Sequence, residues 1–283
     1  MEDFVKNFLA QEYRLDKSIF KQTGGLNQEK TFKIEYDGKI ELEFKKINKG
    51  DSNYEIYLSN NFDDNSCITI QINKKDKLAS IHNISKEKLS CFNHADFLLK
   101  KPSNFYVEMS IKLLKKYKEK FNINKITLID NAVINCEMTD SNNSNIGKFN
   151  LSQYLLFTKG YTWYEEFGFK ITDENKNKIV KNSKKVIETL KIKDIDFEIL
   201  FKDASESKNY KYISDTVIQQ IKKMLKENKN QKFIIIMKHI FYDNRTNETC
   251  LLYSLIDTKL ARQLEKKFDK FTRLEQLEYY LKI

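Results

Sequence analysis

The spacing of apolar and polar positions predicts an N-terminal helix followed by a run of short strands. Over residues 2–13 the apolar positions fall on one side of a helix. From Thr31 they alternate with polar residues, and this period of two indicates strands. The predicted strands are 31–36, 40–44, 54–58, 67–72 and 77–84. Asp37 and Gly38 form a hairpin signal between the first two strands, so the pattern predicts an antiparallel meander.

A helix and a buried strand are predicted after the meander. Pro102 and Ser103 begin the helix, because proline is tolerated in the first turn. Apolar residues continue at helical spacing as far as Phe121. Residues 125–130 carry apolar side chains on both faces, which indicates a central buried strand. A polar loop at 139–145 follows.

Residues 150–169 combine two short helical pieces with two glycine breaks. Gly160 separates the pieces. Aromatic residues recur at three-residue steps along the second piece, at Tyr161, Tyr164 and Phe167. Gly168 can end such a helix through a left-handed turn without steric cost. A strand is expected to begin near Phe169.

The rest of the chain, from residue 172, has the pattern of a mainly helical region. Predicted here are helices near 179–190 and 212–225, a strand at 195–201, and an apolar block at 233–242 that fits either structure. Leucine and phenylalanine recur at threes and fours from Leu260 to Leu281, which predicts a long amphipathic C-terminal helix. We expect this helix to pack along a groove or to pair with a protein partner.

The composition limits the classes of function. The chain of 283 residues carries a net charge of +10, yet only four of its 50 basic residues are Arg. Arg makes the bidentate contacts to phosphates and bases, and an excess of Lys is typical of an AT-rich genome. We therefore expect weak attraction to polyanions and no specific recognition of nucleic acid. No apolar run approaches the roughly 20 residues of a membrane span, so no membrane association is expected.

Cysteine use and the N-terminal sequence predict a cytoplasmic protein. The first residues, MEDFVKNFLAQEYR, include acidic side chains and no small-residue cleavage site, which is unlike a signal peptide. A C-x-x-C pair is absent among the four cysteines, Cys67, Cys91, Cys136 and Cys250. We expect four free thiols in a reducing compartment.

One group of residues has side chains of the types that bind zinc. It consists of His82, Cys91 and His94, with Cys136 as a possible fourth ligand. Structural zinc sites are usually made of compact ligand pairs, and only Cys91 and His94 have that spacing. No metal is therefore expected.

The sequence WYEEFGF, residues 163–169, resembles the segment that closes the catalytic core of GCN5-related N-acetyltransferases, where an aromatic-Tyr-Glu-x-x-Gly-Phe pattern is common. The predicted order of meander, helix, buried strand, helix and strand is also the order of that core. The resemblance implies an α+β fold with an N-terminal helical segment at 1–30, an acetyltransferase-like core at 31–171, and a mainly helical extension at 172–283. The motif and the composition are also similar to those of uncharacterised proteins of large nucleocytoplasmic DNA viruses.

The resemblance suggests two catalytic residues. In active members of the family, a Tyr at the position of Tyr164 lies near the leaving thiol and can act as a general acid. Their general base is often a Glu on the fourth strand. The segment 77–84 has no such Glu, and His82 is its titratable candidate. Each residue also has a purely structural interpretation, Tyr164 in an aromatic core and His82 as an ordinary strand residue.

The glycine-rich loop of the family is missing. Active members approach the pyrophosphate of acetyl-CoA through an Arg/Gln-x-x-Gly-x-Gly/Ala loop before the long helix. In this chain no glycine occurs between Gly50 and Gly147. Lys100 and Lys101, with Ser103 at the start of the helix, are candidates to hold a phosphate by charge instead. The two lysines are equally interpreted as a solvent-exposed pair.

Two functions follow from these observations. The missing glycines favour a scaffold that has lost acetyl-CoA binding, needs no cofactor, and acts as a binding or virion-associated structural protein in the host cytoplasm or the virion. The alternative is an acetyl-CoA-dependent N-acetyltransferase with Tyr164 as acid and His82 as base. The sequence leaves open whether the chain is an enzyme.

Overall fold

The structure is a computed structural model that describes residues 30–36, 40–48, 53–60, 68–84, 102–130, 132–139, 144–274 and 277–283. The helix predicted at 2–13 lies outside these residues. The chain forms two compact units. Unit 1 is Met1–Leu128 with Tyr280–Ile283, and unit 2 is Ile129–Tyr279.

Unit 1 contains the predicted meander. Its strands are β1 (Lys30–Tyr36), β2 (Ile40–Asn48), β3 (Asn53–Asn60), β4 (Ile68–Asn73) and β5 (Leu78–Ile84). Each strand pairs antiparallel with the next, which confirms the prediction. Strand β4 buries Ile68, Ile70 and Ile72, because alternate side chains of a strand point to the same face.

Two helices and a parallel strand follow the meander. Helix α1 (Pro102–Lys116) begins at the predicted proline, and α2 (Lys118–Phe121) comes after it. Strand β6 (Lys125–Ile129) pairs in parallel with β5 over Leu78 to Ile81. Its Ile126 and Leu128 are buried, as the sequence predicts. The protein is therefore α+β, and its sheet is mixed.

Unit 2 is mainly helical. A ribbon of two antiparallel strands, β7 (Val133–Asn135) and β8 (Lys148–Asn150), comes first. The α-helices are α3 (Leu151–Lys159), α4 (Glu174–Thr189), α5 (Phe197–Ser205), α6 (Asp215–Glu227), α7 (Phe233–Met237) and α8 (Asn247–Lys267). The 3₁₀ helices are Trp163–Phe167, Ile192–Asp194 and Tyr210–Tyr212, and a π-helix spans Lys238–Asp243. The last strand wholly within unit 2 is β9 (Lys170–Ile171). The chain then ends in β10 (Glu278–Lys282), whose residues from Tyr280 onward belong to unit 1.

Helix α8 lies in the core of unit 2. Its Tyr253 is fully buried, and the ring packs against three other aromatic residues, with centroid distances of 4.7 Å to Phe149, 5.0 Å to Tyr154 and 5.3 Å to Phe241. These partners come from β8, α3 and the π-helix. The aromatic cluster therefore joins α8 to three other elements of the unit.

A disulfide bond joins Cys136, which follows β7, to Cys250 in the first part of α8. Their Cα atoms are 5.7 Å apart, within the usual range for a disulfide. The expectation of free thiols is therefore wrong for these two residues. The same bond removes Cys136 from the set of possible zinc ligands, because its sulfur is already bonded. Cys67 and Cys91 lie outside the described residues.

The strand predicted at 195–201 is wrong, because this segment begins helix α5. The side chain of Asp196 caps the helix by accepting a hydrogen bond of 3.1 Å from the Ile199 backbone N–H. The helix buries Phe197, Leu200, Phe201 and Ala204, and it leaves Ile199 exposed. The alternation of apolar residues that suggested a strand thus includes one side chain that faces solvent.

The long C-terminal helix is also wrong beyond Lys267. Helix α8 ends there, residues 268–274 have no regular structure, and the chain finishes in β10. The apolar residues of the predicted stripe that belong to unit 2 are mostly buried, namely Leu260, Leu264, Phe271, Leu274 and Leu277. The stripe is core, so it provides no exposed helical face for a partner. Among the described helices, none combines the length and the apolar composition that a bilayer crossing requires.

Candidate functional site

Residues 150–169 adopt the local structure that the sequence predicts. Asn150 caps α3 by accepting a hydrogen bond of 2.9 Å from the Gln153 backbone N–H. Gly160 ends α3 and Gly168 ends the 3₁₀ helix, with φ angles of 79° and 82°. Glycine adopts this left-handed conformation without the steric cost that a Cβ would add. The two glycines therefore set the position of the short helix that carries Tyr164.

Tyr164 is a buried aromatic residue of unit 2. Its side chain is enclosed, with 4% of the residue exposed. The ring lies 4.9 Å from that of Trp163, 5.2 Å from that of Tyr279 and 6.2 Å from that of Phe169. Burial raises the pKa of the Tyr164 hydroxyl, and the nearby Asp130 and Tyr279 raise it further. The hydroxyl therefore holds its proton more tightly than an exposed tyrosine does.

Asp130 provides a buried carboxyl group near this tyrosine. It follows β6 directly and is 2% exposed. The Ser152 hydroxyl donates a hydrogen bond to one carboxyl oxygen, and the Ala132 backbone N–H donates one of 3.0 Å to the other. Burial raises the pKa of Asp130, and these two hydrogen bonds offset part of that effect. We call Asp130, Ser152, Thr162, Tyr164 and Tyr279 the Asp130 cluster.

The hydroxyl of Tyr279 is the least satisfied member of the Asp130 cluster. The residue is fully buried. Its hydroxyl lies beside those of Thr162 and Ser152, although none of the described atoms meets the full geometry of a hydrogen bond to it. Burial raises the pKa of Tyr279, so the hydroxyl stays neutral. The cluster therefore contains a carboxyl group and several hydroxyl groups inside unit 2.

Glu165 connects the 3₁₀ helix to other parts of unit 2 through hydrogen bonds and an ion pair. Its carboxylate accepts hydrogen bonds from the backbone and the hydroxyl of Thr162, at 2.8 Å and 2.9 Å, which closes a capping box on the 3₁₀ helix. The ammonium group of Lys184 on α4 lies 2.6 Å away. Burial acts to raise the pKa of Glu165, but Lys184 and Thr162 outweigh it and lower the pKa. The carboxylate thus ties the 3₁₀ helix to α4.

The other predicted site residues are placed as follows. His82 is exposed on β5 of unit 1, whereas Tyr164 belongs to unit 2. Ser103 lies in the first turn of α1, as predicted. Lys100 and Lys101 lie outside the described residues. The part of the chain that the structure describes contains no group of three or more His, Cys, Asp or Glu residues suited to a metal ion.

Sequence reasoning missed most of the Asp130 cluster. The apolar pattern places Asp130 at the end of a strand and gives it no further role, and Ser152 and Tyr279 belong to no motif. One usable signal was the carboxyl group that follows directly after an apolar strand, since a buried Asp requires hydrogen-bond donors. Nothing in the spacing indicates that Tyr279 lies beside Tyr164. Searches of protein-family models, curated proteins and solved structures found no match to this chain.

Replacing Ser152 with alanine is expected to lower the free energy of unfolding by about 2 kcal/mol near neutral pH, because it leaves the buried Asp130 carboxyl short of one hydrogen-bond donor. Chemical denaturation measures the change. The matched control is Ser205→Ala, because the exposed Ser205 hydroxyl donates only to a backbone carbonyl, that of Lys202 at 2.6 Å. Equal effects of the two substitutions would show that the hydrogen bond to Asp130 contributes nothing specific.

Proposed function

We propose that this protein is a non-catalytic binding or structural protein built on an acetyltransferase-like scaffold that has lost the binding of acetyl-CoA. The observation that supports this proposal best is the enclosure of Tyr164. A general acid must reach the atom that it protonates. The Tyr164 hydroxyl instead lies in the interior of unit 2 near Asp130 and Tyr279, and its pKa is raised.

The sequence around helix α1 supports the same proposal. Active members of the family bring glycine backbone amides close to the pyrophosphate just before this helix. This chain has no glycine between Gly50 and Gly147. Side chains on the corresponding loop would keep a phosphate away from the backbone, because every residue other than glycine carries a Cβ.

An acetyl-CoA-dependent N-acetyltransferase is the second candidate. The exposure of His82 on β5 favours it, because an amine substrate can reach an exposed imidazole. Helix α1 begins at Pro102, next to Lys100 and Lys101, and a helix N-terminus with basic neighbours attracts phosphate. In this candidate Tyr164 would act as acid only after the 3₁₀ helix moves.

Acetyl-CoA is expected to leave the melting temperature of the protein unchanged. A ligand at a hundred times its dissociation constant stabilises the folded state by about 2.7 kcal/mol, which thermal shift and calorimetry both detect. A clear stabilisation would contradict the proposal. In that case Lys100→Ala/Lys101→Ala should abolish it, and Lys115→Ala/Lys116→Ala should not, because this second pair lies in the last turn of α1.

The resemblance to proteins of large nucleocytoplasmic DNA viruses extends the proposal to a virion-associated role. Its test is whether the protein remains with purified particles after washing at high salt. High salt weakens the unspecific attraction of a protein with a net charge of +10 to nucleic acid, so retention would indicate a specific structural contact. Loss of the protein from the particles would contradict the virion-associated role, and the proposal would then be limited to a binding role in the host cytoplasm.

A further inference from the structure

The two sulfur atoms of the disulfide lie in different electrostatic surroundings. The Arg245 guanidinium donates a hydrogen bond of 3.3 Å to the Cys250 sulfur. Cys250 also lies at the end of the first turn of α8, which Thr246 caps. A nearby cation and a helix N-terminus both stabilise a thiolate. Cys250 is therefore the sulfur better able to carry a negative charge.

The surroundings of Cys136 favour a neutral thiol. A Cβ built on Gly147 would lie 3.0 Å from the Cys136 sulfur and 3.0 Å from a methyl group of Leu251, so this sulfur is packed against the β8 side of the ribbon and the side of α8. Burial raises the pKa of a thiol, and the hydrogen bond from Arg245 goes to the Cys250 sulfur and not to that of Cys136.

The carboxylate in the first turn of α8 is held by the cap of a neighbouring helix. Glu248, in the first turn of α8, accepts hydrogen bonds from the backbone and the hydroxyl of Ser214, both at 3.1 Å. It therefore faces the start of α6, where Ser214 is the capping residue. The Arg245 guanidinium, by contrast, contacts the Cys250 sulfur directly.

The two cysteines also differ in the elements that hold them. Cys250 lies on a helix of 21 residues, and the residues that follow it, Leu251 and Leu252, are fully buried. Cys136 is held by a ribbon of two strands with three residues each, and its Val133 is half exposed. Short, partly exposed pairings open at lower free energy than a core helix. Local opening of the ribbon would expose Cys136 first.

We propose that Cys136–Cys250 is a site of thiol–disulfide exchange, with Cys136 as the attacked sulfur and Cys250 as the leaving thiolate. The thiolate of a small cellular thiol of the glutathione class forms a bond to the Cys136 sulfur. The bond between the two cysteines breaks, and its electron pair stays on Cys250 beside Arg245. A second small thiolate then attacks the small-thiol sulfur of the mixed disulfide. Cys136 leaves as a thiolate, and the two small thiols are joined in a disulfide.

The first test uses the full-length oxidised protein with Cys67→Ser and Cys91→Ser, which leaves only the two cysteines of interest. Reduced glutathione is added, and iodoacetamide stops the reaction. Peptide mapping is expected to find glutathione on Cys136 and the alkyl group on Cys250. Glutathione on Cys250, an even distribution, or no adduct at any concentration that leaves the protein folded would each overturn the proposal.

The second test measures the thiolates themselves. Single-cysteine variants, with Cys136→Ser or Cys250→Ser in the same background, are titrated by the ultraviolet absorbance of the thiolate. Cys250 is expected to ionise at least ~1 pH unit below Cys136 because of Arg245, which is about a tenfold difference in thiolate at a given pH. Arg245→Gln should raise the pH at which Cys250 ionises and so reduce the difference, and Arg262→Gln, an exposed change further along α8, should preserve it. Similar titration of the two thiols, or no effect of Arg245→Gln, would contradict the proposal.

Discussion

Replacing both Cys136 and Cys250 with alanine is expected to lower the free energy of unfolding by about 4–5 kcal/mol at 25 °C, because the disulfide closes a loop between residues 114 positions apart. A crosslink across so long a loop removes much of the conformational freedom of the unfolded chain. For a unit of this size the change corresponds to a fall of roughly 10–15 °C in melting temperature. Calorimetry under oxidising conditions measures it.

The control for this prediction is the pair Cys67→Ala and Cys91→Ala, which leaves the disulfide in place. A reducing agent should lower the melting temperature of the wild-type protein to that of the Cys136→Ala/Cys250→Ala variant and should not affect the variant itself. A wild-type protein that melts at the same temperature with and without the reducing agent would show that the bond does not stabilise the fold.

The structure of residues 150–169 was predictable because its determinants are local. Asn150 satisfies a backbone donor three residues away, and Gly160 and Gly168 supply the conformations that end the two helices. The meander was predictable for a similar reason, since alternation along each strand reports which face is buried. Features of this kind depend on neighbours in the sequence, and the sequence displays them directly.

The end of helix α8 was not predictable, because neither of the strong stop signals is present there and lysines like those of its last turn occur throughout the chain. Neither glycine nor proline follows Lys267, and apolar residues keep the same spacing beyond it. The chain nevertheless leaves the helix at Phe268. One backbone donor of the non-helical segment, the N–H of Leu274, is satisfied by the buried side chain of Gln153 at 2.8 Å. That partner is 121 residues away in sequence, so local patterns do not reveal it.

The Asp130 cluster and the disulfide were missed for the same physical reason. The members of the cluster come from the end of β6, the start of α3, the 3₁₀ helix and β10. Cys136 and Cys250 are likewise distant in sequence. Tertiary packing brings such residues together, and neither periodicity nor motif spacing reports it. The alternation of apolar residues over 195–201 predicted a strand wrongly, because Ile199 is apolar yet exposed on helix α5.

Asp257→Asn is expected to raise the free energy of unfolding by up to about 3 kcal/mol above pH 7, because it removes a buried charge. Asp257 is 4% exposed and accepts a hydrogen bond of 3.1 Å from the Tyr253 hydroxyl. Burial raises its pKa from 3.8 to about 6, although Tyr253 and the positive charge of Arg273 oppose the shift. Asparagine keeps an oxygen that can accept the same hydrogen bond.

The sign of the pH dependence follows from the raised pKa of Asp257. The folded state binds the proton more tightly than the unfolded state, so this residue favours folding fully below pH 3.8, and the contribution is lost as the pH rises through about 6. The gain from Asp257→Asn should therefore be largest above pH 7 and vanish below pH 3.8. Denaturation at several pH values measures it, with the exposed Asp269→Asn as control. If Asp257→Asn destabilised the protein above pH 7, where the carboxylate is ionised, the ionised carboxylate would be a net contributor to stability, and Arg273 would compensate its burial more strongly than we infer.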